Sequence, residues 1–198
     1  MAAGNAPGQV VLLHGIWMRS PSLWWLERRL RAAGFHTGRF DYASVFGAPE
    51  RAVAALRARL RAAGAGPVHL VGHSLGGLVA IAACRDAAGL PPGRILCLGS
   101  PLAGSAAARA ADRWPGVREL VGGWRAALLD GVGALLARLP RPHDGTVALS
   151  ETRVDGLSDH LAVDASHTGM LLDPDVAAAA ARILRCGRLG PGADGHVP

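Results

Sequence analysis

VHLVGHSLGGLVA, residues 68–80, sets a lone serine between glycines at the joint of two apolar runs. Val68–Val71 reads as a short buried strand, and Leu75 to Ala88 reads as a helix. Between them, Gly72-His73-Ser74-Leu75-Gly76 matches G-x-S-x-G. At a strand-to-helix joint this pattern makes a sharp turn that lifts the serine hydroxyl above the sheet. The bend forces unusual backbone angles on the serine. Side chains two residues to either side would collide, so glycine is needed there. Gly77 lets the helix approach the strand closely. The helix N-terminus aims its positive end and its unpaired N–H groups at developing negative charge. Ser74 therefore reads as a nucleophile.

The surrounding chain supports such a joint. Val10–Leu13 is an apolar run ending in His-Gly, a first strand. Ser20 and Pro21 open a helix whose stripe is Leu23, Trp24, Leu26, Leu30 and Ala33, and Gly34 stops it. Phe35–Tyr42 is a second strand, Pro49 to Ala63 a second helix, and Ile95–Leu98 a fourth strand. Alternating strands and helices imply a parallel sheet covered on both faces. Residues 103–139 break the rhythm and read as a helical, cap-like insertion. Thr146–Leu149 and Leu161–Val163 read as two more strands, followed by a last helix from Asp175 to Leu184 and a loose tail over 190–198. With 198 residues the chain is one domain, 1–198.

Composition narrows the function classes. All 21 basic residues are arginine, and the net charge is +6. Arg28, Arg29, Arg31, Arg57, Arg59 and Arg61 fall on helix exteriors rather than on one face interleaved with aromatics, which argues against nucleic acid. The charge admits weak attraction to an anionic lipid surface. Residues 1–9, MAAGNAPGQ, lack the basic start and apolar core of a secretory signal. The chain has no run of 18 apolar residues long enough to span a bilayer. Cys84, Cys97 and Cys186 are odd in number and lack metal-ligand spacing, which fits reduced, buried thiols and a cytoplasmic protein. The chain carries no metal motif, phosphate loop or dinucleotide fingerprint, so no metal and no cofactor is implied. The number of subunits is left open.

A serine hydroxyl needs a base to take its proton. In the order Ser…Asp/Glu…His the base follows the nucleophile, which leaves His143, His160, His167 and His196. His167 lies after the last expected strand, at the edge where ligands meet open parallel sheets. His160 precedes that strand and is the weaker alternative; His196 falls in the tail. Asp144, in the turn Pro142-His143-Asp144-Gly145, is the leading acid, placed to accept the Nδ1 proton of the base. Asp-Gly is also a common turn pair, and Asp130, Glu151, Asp155, Asp159 and Asp164 are rivals. The oxyanion hole calls for the N–H of Leu75 and a second N–H from the loop after the first strand. In that loop, LLHGIWM over 12–18, Ile16 is the first candidate and Trp17 the second.

LLHGIW, VGHSLGGLVA, GSPLAGS, HDGTVALSETRV and DHLAVDASHTGML together resemble small bacterial α/β-hydrolases of the esterase and lipase kind. Within these they are most similar to the triacylglycerol lipase and GPI inositol-deacylase-like groups. The resemblance runs from Val10 to Leu184. It implies an α/β-hydrolase fold with a mostly parallel central sheet flanked by helices, in a compact version with a small helical cap. It also supports Asp144 and His167 through the DGTV and SHTGM stretches. Family members carry a strand shortly before the acid, whereas Ala126–Pro142 reads here as helix and turn. Trp17, Met18 and Tyr42 are expected to line a substrate pocket. Trp24 and Trp25 fall near its rim, and at least one of them fits helix packing better. No charged group is aimed at the site, so an apolar acyl ester, a small molecule or a lipid, is the expected substrate. An acyltransferase or thioesterase would use the same three residues, and a non-catalytic binding protein could keep the fold.

Overall fold

A computed structural model describes residues 8–45, 47–64, 66–85, 87–104 and 139–188. The expected insertion over 103–139 falls outside these, apart from residues 103, 104 and 139, and the tail over 190–198 falls outside them entirely.

Four parallel strands form one sheet, β1 (Gln9–Leu13), β2 (His36–Phe40), β3 (Val68–His73) and β4 (Ile95–Leu98), in the order β2-β1-β3-β4. The chain winds outward one way from β1 to β2 and the other way from β3 to β4. The crevice between the ends of β1 and β3, where Leu13 pairs with Gly72, is thus the switch point at which such sheets take ligands.

Among the described residues, four helices cover the sheet: α1 (Trp24–Ala32), entered through a 3-10 turn at Ser20–Leu23, α2 (Pro49–Arg61), α3 (Leu75–Cys84) and α4 (Pro174–Cys186). Successive β1 side chains point to opposite faces and feed two cores. Val11 and Leu13 pack with Leu56, Leu60, Leu75 and Val79 of α2 and α3. Val10 and Leu12 pack with Leu26, Leu30, Val176 and Leu184 of α1 and α4. Trp25 packs against this second core, while Trp24 is 54% exposed beneath the Arg28 guanidinium.

Arginines close several helix ends. Arg57 donates to the carbonyls of Ala82, Ala83 and Arg85 at the end of α3. Arg94 donates to Leu184 O in α4, and Arg185 to Ala33 O after α1. The Arg57 fork explains why α3 stops at Cys84 rather than at Ala88. Its last carbonyls are taken from the side, and Arg85 turns to extended backbone. Buried Glu27 pairs with Arg31 and Arg39, tying α1 to β2. Among the cysteines, Cys84 and Cys97 are partly buried and Cys186 is exposed, which corrects the expectation of three buried thiols; all three are free.

Neither later strand forms as expected. Over Thr146–Leu149 there is a single antiparallel bridge between His143 and Ala148, then a 3-10 turn at Leu149–Thr152. The Asp144 carboxylate takes the N–H groups of Thr146 and Val147, which removes the donors a ladder would need. Over Leu161–Val163 the described residues show a β-bridge at Val163 rather than a strand, and the segment lines a cavity of about 660 Å³ together with Ile95 and Leu96.

Candidate active site

The glycines around Ser74 are dictated by close approach. A Cβ on Gly72 would collide with Gly77 N, and one on Gly76 would sit 2.5 Å from Leu13 O. One on Gly77 would strike the Ser100 hydroxyl. Only a bare backbone lets the β3–α3 bend nest against β1. Ser74 takes φ 52° and ψ −119°, a strained conformation for a side-chain-bearing residue, worth on the order of 1–3 kcal/mol. Its N–H bonds to Leu98 O at 2.8 Å and its carbonyl accepts from Gly77 N at 3.1 Å, which holds the bend from both sides. Among the described residues, the other non-glycine with positive φ is Trp17, at 58°. The strain therefore sits in the two loops that face each other across the switch point.

The loop after β1 is held by its own scaffold. The His14 ring is fully buried, with Nδ1 2.8 Å from Gly15 O and Nε2 3.0 Å from Asp41 Oδ1. Asp41 also accepts from Arg19 and from Ser20 N. Burial alone would raise the Asp41 pKa, but these hydrogen bonds and the Arg19 charge hold it below the usual carboxylate value. Tyr42 stacks on His14 with ring centroids 4.4 Å apart and donates its hydroxyl to His14 O at 2.7 Å. Tyr42 is buried, and burial raises its pKa further above the ordinary phenol value. Its hydroxyl thus fixes the loop.

Asp144 and His167 meet directly. His167 Nδ1 lies 2.6 Å from Asp144 Oδ2, and His167 N donates to Asp144 O at 2.9 Å. The second carboxylate oxygen receives Thr146 N at 2.9 Å and Val147 N at 2.8 Å. Burial pushes the Asp144 pKa up, but the hydrogen bond and charge of His167, with the two backbone donors, outweigh it and hold the carboxyl below its usual range. An ionised Asp144 fixes the proton on His167 Nδ1 and leaves Nε2 to act as a base.

The other histidines and acids lie elsewhere. His160 engages Thr152 Oγ1 at 2.8 Å, and His143 Nδ1 accepts from Gly145 N. Glu151 is buried, accepting from Ala148 N. Asp155 and Asp164 are exposed, and Asp159 accepts from His160 N. Asp130 and His196 lie outside the described residues.

Ser74 is 2% exposed, and among the described residues no hydrogen bond joins its hydroxyl to the His167 ring. The two loops meet instead through His73, whose ring lies 4.7 Å from that of His167. Hydrogen bonds of this kind commonly shorten only when substrate is bound. Leu75 opens α3, so its N–H belongs to the first turn, where helical donors have no partner within the helix. Ile16 is half-buried against the α2–α3 core. Met18 Sδ lies 3.3 Å from where a Gly15 Cβ would stand, beside Ser74 Cβ at 3.2 Å, whereas Trp17 is 57% exposed. The large cavity opens on Asp144, Leu98 and Ser100, not on Trp17, Met18 or Tyr42. His73 and the His14–Asp41 pair escape a sequence reading, since their partners lie 94 and 27 residues away.

Among the described residues no three His, Cys, Asp or Glu side chains are grouped to hold a metal, and no helix is long and apolar enough to cross a membrane.

A family model described as the alpha/beta hydrolase family matches residues 10–197. No curated protein matches the sequence. Among solved structures, similarity extends to an extracellular alpha/beta-hydrolase from a Paenibacillus species, 22% identical over 57% of this chain and 48% of that one, TM-score 0.44. It extends to the Paleococcus ferrophilus monoacylglycerol lipase, 25% identical over 56% of this chain and 49% of that one, TM-score 0.44. A Nitrososphaera gargenis carboxylesterase structure is 15% identical over 92% of this chain and 70% of that one, TM-score 0.43. The chain spans about half the length of the first two.

Proposed function

The chain belongs to the alpha/beta hydrolase family, and from that premise we propose that it hydrolyses carboxylic esters of apolar acids through an acyl-enzyme on Ser74. The observation that carries this reading is the strained Ser74 at the β3–α3 bend, with the Asp144–His167 pair docked beside it through His73.

In the proposed reaction His167 Nε2 takes the Ser74 proton as Oγ attacks the ester carbonyl carbon. The resulting oxyanion accepts from the N–H groups of Leu75 and Ile16. Collapse breaks the bond to the alkoxy oxygen, which leaves with the proton held by His167. Water, deprotonated by His167, then attacks the acyl carbon, and the acid departs as Ser74 regains its proton. Asp144 keeps the imidazole in the required tautomer and stabilises its charged form.

The test is labelling by a fluorophosphonate probe, followed by a p-nitrophenyl ester series from acetate to palmitate. Wild-type protein is expected to label at Ser74 and to turn over at least one ester. Ser74→Ala and His167→Ala should each lose activity by roughly 10⁴ or more. A folded wild-type protein that takes no label at Ser74 sinks the proposal.

A further inference from the structure

The residue between Gly72 and Ser74 is the open position of G-x-S-x-G, and here it is a buried histidine. His73 is 1% exposed. Its Nε2 lies 2.9 Å from the carbonyl oxygen of His167, and the two rings are 4.7 Å apart, tilted by 48°. Its Nδ1 is buried with no hydrogen-bond partner and faces Gly15, where a Cβ would stand 2.9 Å away. One ring thus adjoins all three segments of the site: the Ser74 bend through the chain, the His167 loop through a hydrogen bond, and the loop after β1 across the face that Gly15 leaves bare.

We propose that His73 is a positioning residue for the base, donating Nε2–H to the His167 carbonyl and backing the His167 ring so that bend and base move as one unit. The proposal rests on the assignment of Ser74 and His167 as nucleophile and base.

The tautomer follows from the partner. A carbonyl oxygen only accepts, so Nε2 carries the proton and a neutral ring leaves a lone pair on Nδ1. That lone pair is buried without a donor, a cost that an aromatic hydrocarbon ring at this position would avoid. The feature a hydrocarbon ring could not reproduce is the donor to His167. Adding a second proton would put charge on Nδ1 with no acceptor, in a site where His167 and His14 oppose that charge and Asp144 favours it. Burial first, then the His167 charge, pull the His73 pKa down to about 4. The ring therefore stays a neutral donor above that value.

The experiment compares wild type with His73→Phe, which keeps an aromatic ring and removes the donor, and His73→Gln, whose amide reaches the same carbonyl. Loosening the base loop should lower kcat by about 10–100-fold in His73→Phe, as small misplacements do, with KM within about twofold and His73→Gln recovering most of the loss. Fluorophosphonate labelling rates should follow the same order. Full activity in His73→Phe, or equal loss in both variants, overturns the proposal. A ¹H–¹⁵N spectrum of the histidine rings reads the bond without turnover. His73 should show a protonated Nε2 and a bare Nδ1 at pH 6, and the opposite tautomer overturns the proposal even if a variant fails to fold. Wild-type protein that neither labels nor turns over esters would sink the ester reading, and the ring spectrum would still decide whether His73 holds the His167 loop.

Discussion

His167 is held to Asp144 twice, ring to carboxylate at 2.6 Å and backbone N–H to backbone carbonyl at 2.9 Å. The second link means that a change in the carboxylate need not release the loop. Asp144→Asn should therefore keep His167 near its place but lose the preference for a proton on Nδ1. We expect kcat to fall by about 10³–10⁴, measured on the best p-nitrophenyl ester, with the far-ultraviolet spectrum unchanged. An active Asp144→Asn protein would mean that another carboxylate serves the base.

Gly76 tests the packing of the bend. Its Cβ would lie 2.5 Å from Leu13 O and 2.9 Å from His14 O, both backbone atoms that cannot swing away. Gly76→Ala should destabilise the fold by about 1–3 kcal/mol and reduce activity at temperatures where the variant is still folded. Urea denaturation read by tryptophan fluorescence checks the first effect and ester kinetics the second.

Tyr42→Phe removes the donor to His14 O and leaves a buried carbonyl without that partner. A loss of about 1–3 kcal/mol is expected. If the loop after β1 supplies an oxyanion donor, kcat should fall more than KM rises. A change confined to KM would instead support a pocket-lining role for Tyr42.

Stability should carry two acid signatures. Asp144 has its folded pKa below the unfolded value of 3.8, so its contribution is complete above that value and is lost as pH falls below it. His73 has its folded pKa lowered from 6.5 to about 4, so protonation favours the unfolded chain and stability drains away between those values as pH falls. His69 and His160, lowered chiefly by burial, add loss below pH 6.5. Melting curves of wild type and His73→Gln should therefore converge as pH falls from 6.5 to 4. Asp144→Asn should converge with wild type only below about pH 4. Parallel curves for His73→Gln would show that His73 is not buried as a neutral ring.

Most of the described frame is legible in the sequence because its signals are local. Val10–Leu13 and Ile95–Leu98 are unbroken apolar runs, Val68–Val71 is broken only by His69, and α1, α2 and α4 have proline at or just before their starts, with glycine soon past their ends. Ser74 announces itself through glycines whose neighbours the structure then supplies. Asp144 and His167 could be ordered along the chain but not placed, because their contact depends on two irregular turns. Thr146–Leu149 looked like a strand since its residues suit one. What cannot be read there is that the preceding aspartate would claim two of its N–H groups. His14 pairing with Asp41, and His73 with the His167 carbonyl, join residues with no periodic relation, so no pattern along the chain could announce them.

The guanidinium forks that close α3 and α4 and grip the chain after α1 bear on which exchanges the frame tolerates. A lysine in those places would offer a compact ammonium on a flexible stem, where the planar Arg57 fork spans the carbonyls of Ala82, Ala83 and Arg85. In a chain whose 21 Lys and Arg positions are all arginine, exchanging Arg57, Arg94 and Arg185 for lysine would keep the charge and lose the span, so shape rather than charge is what these positions select.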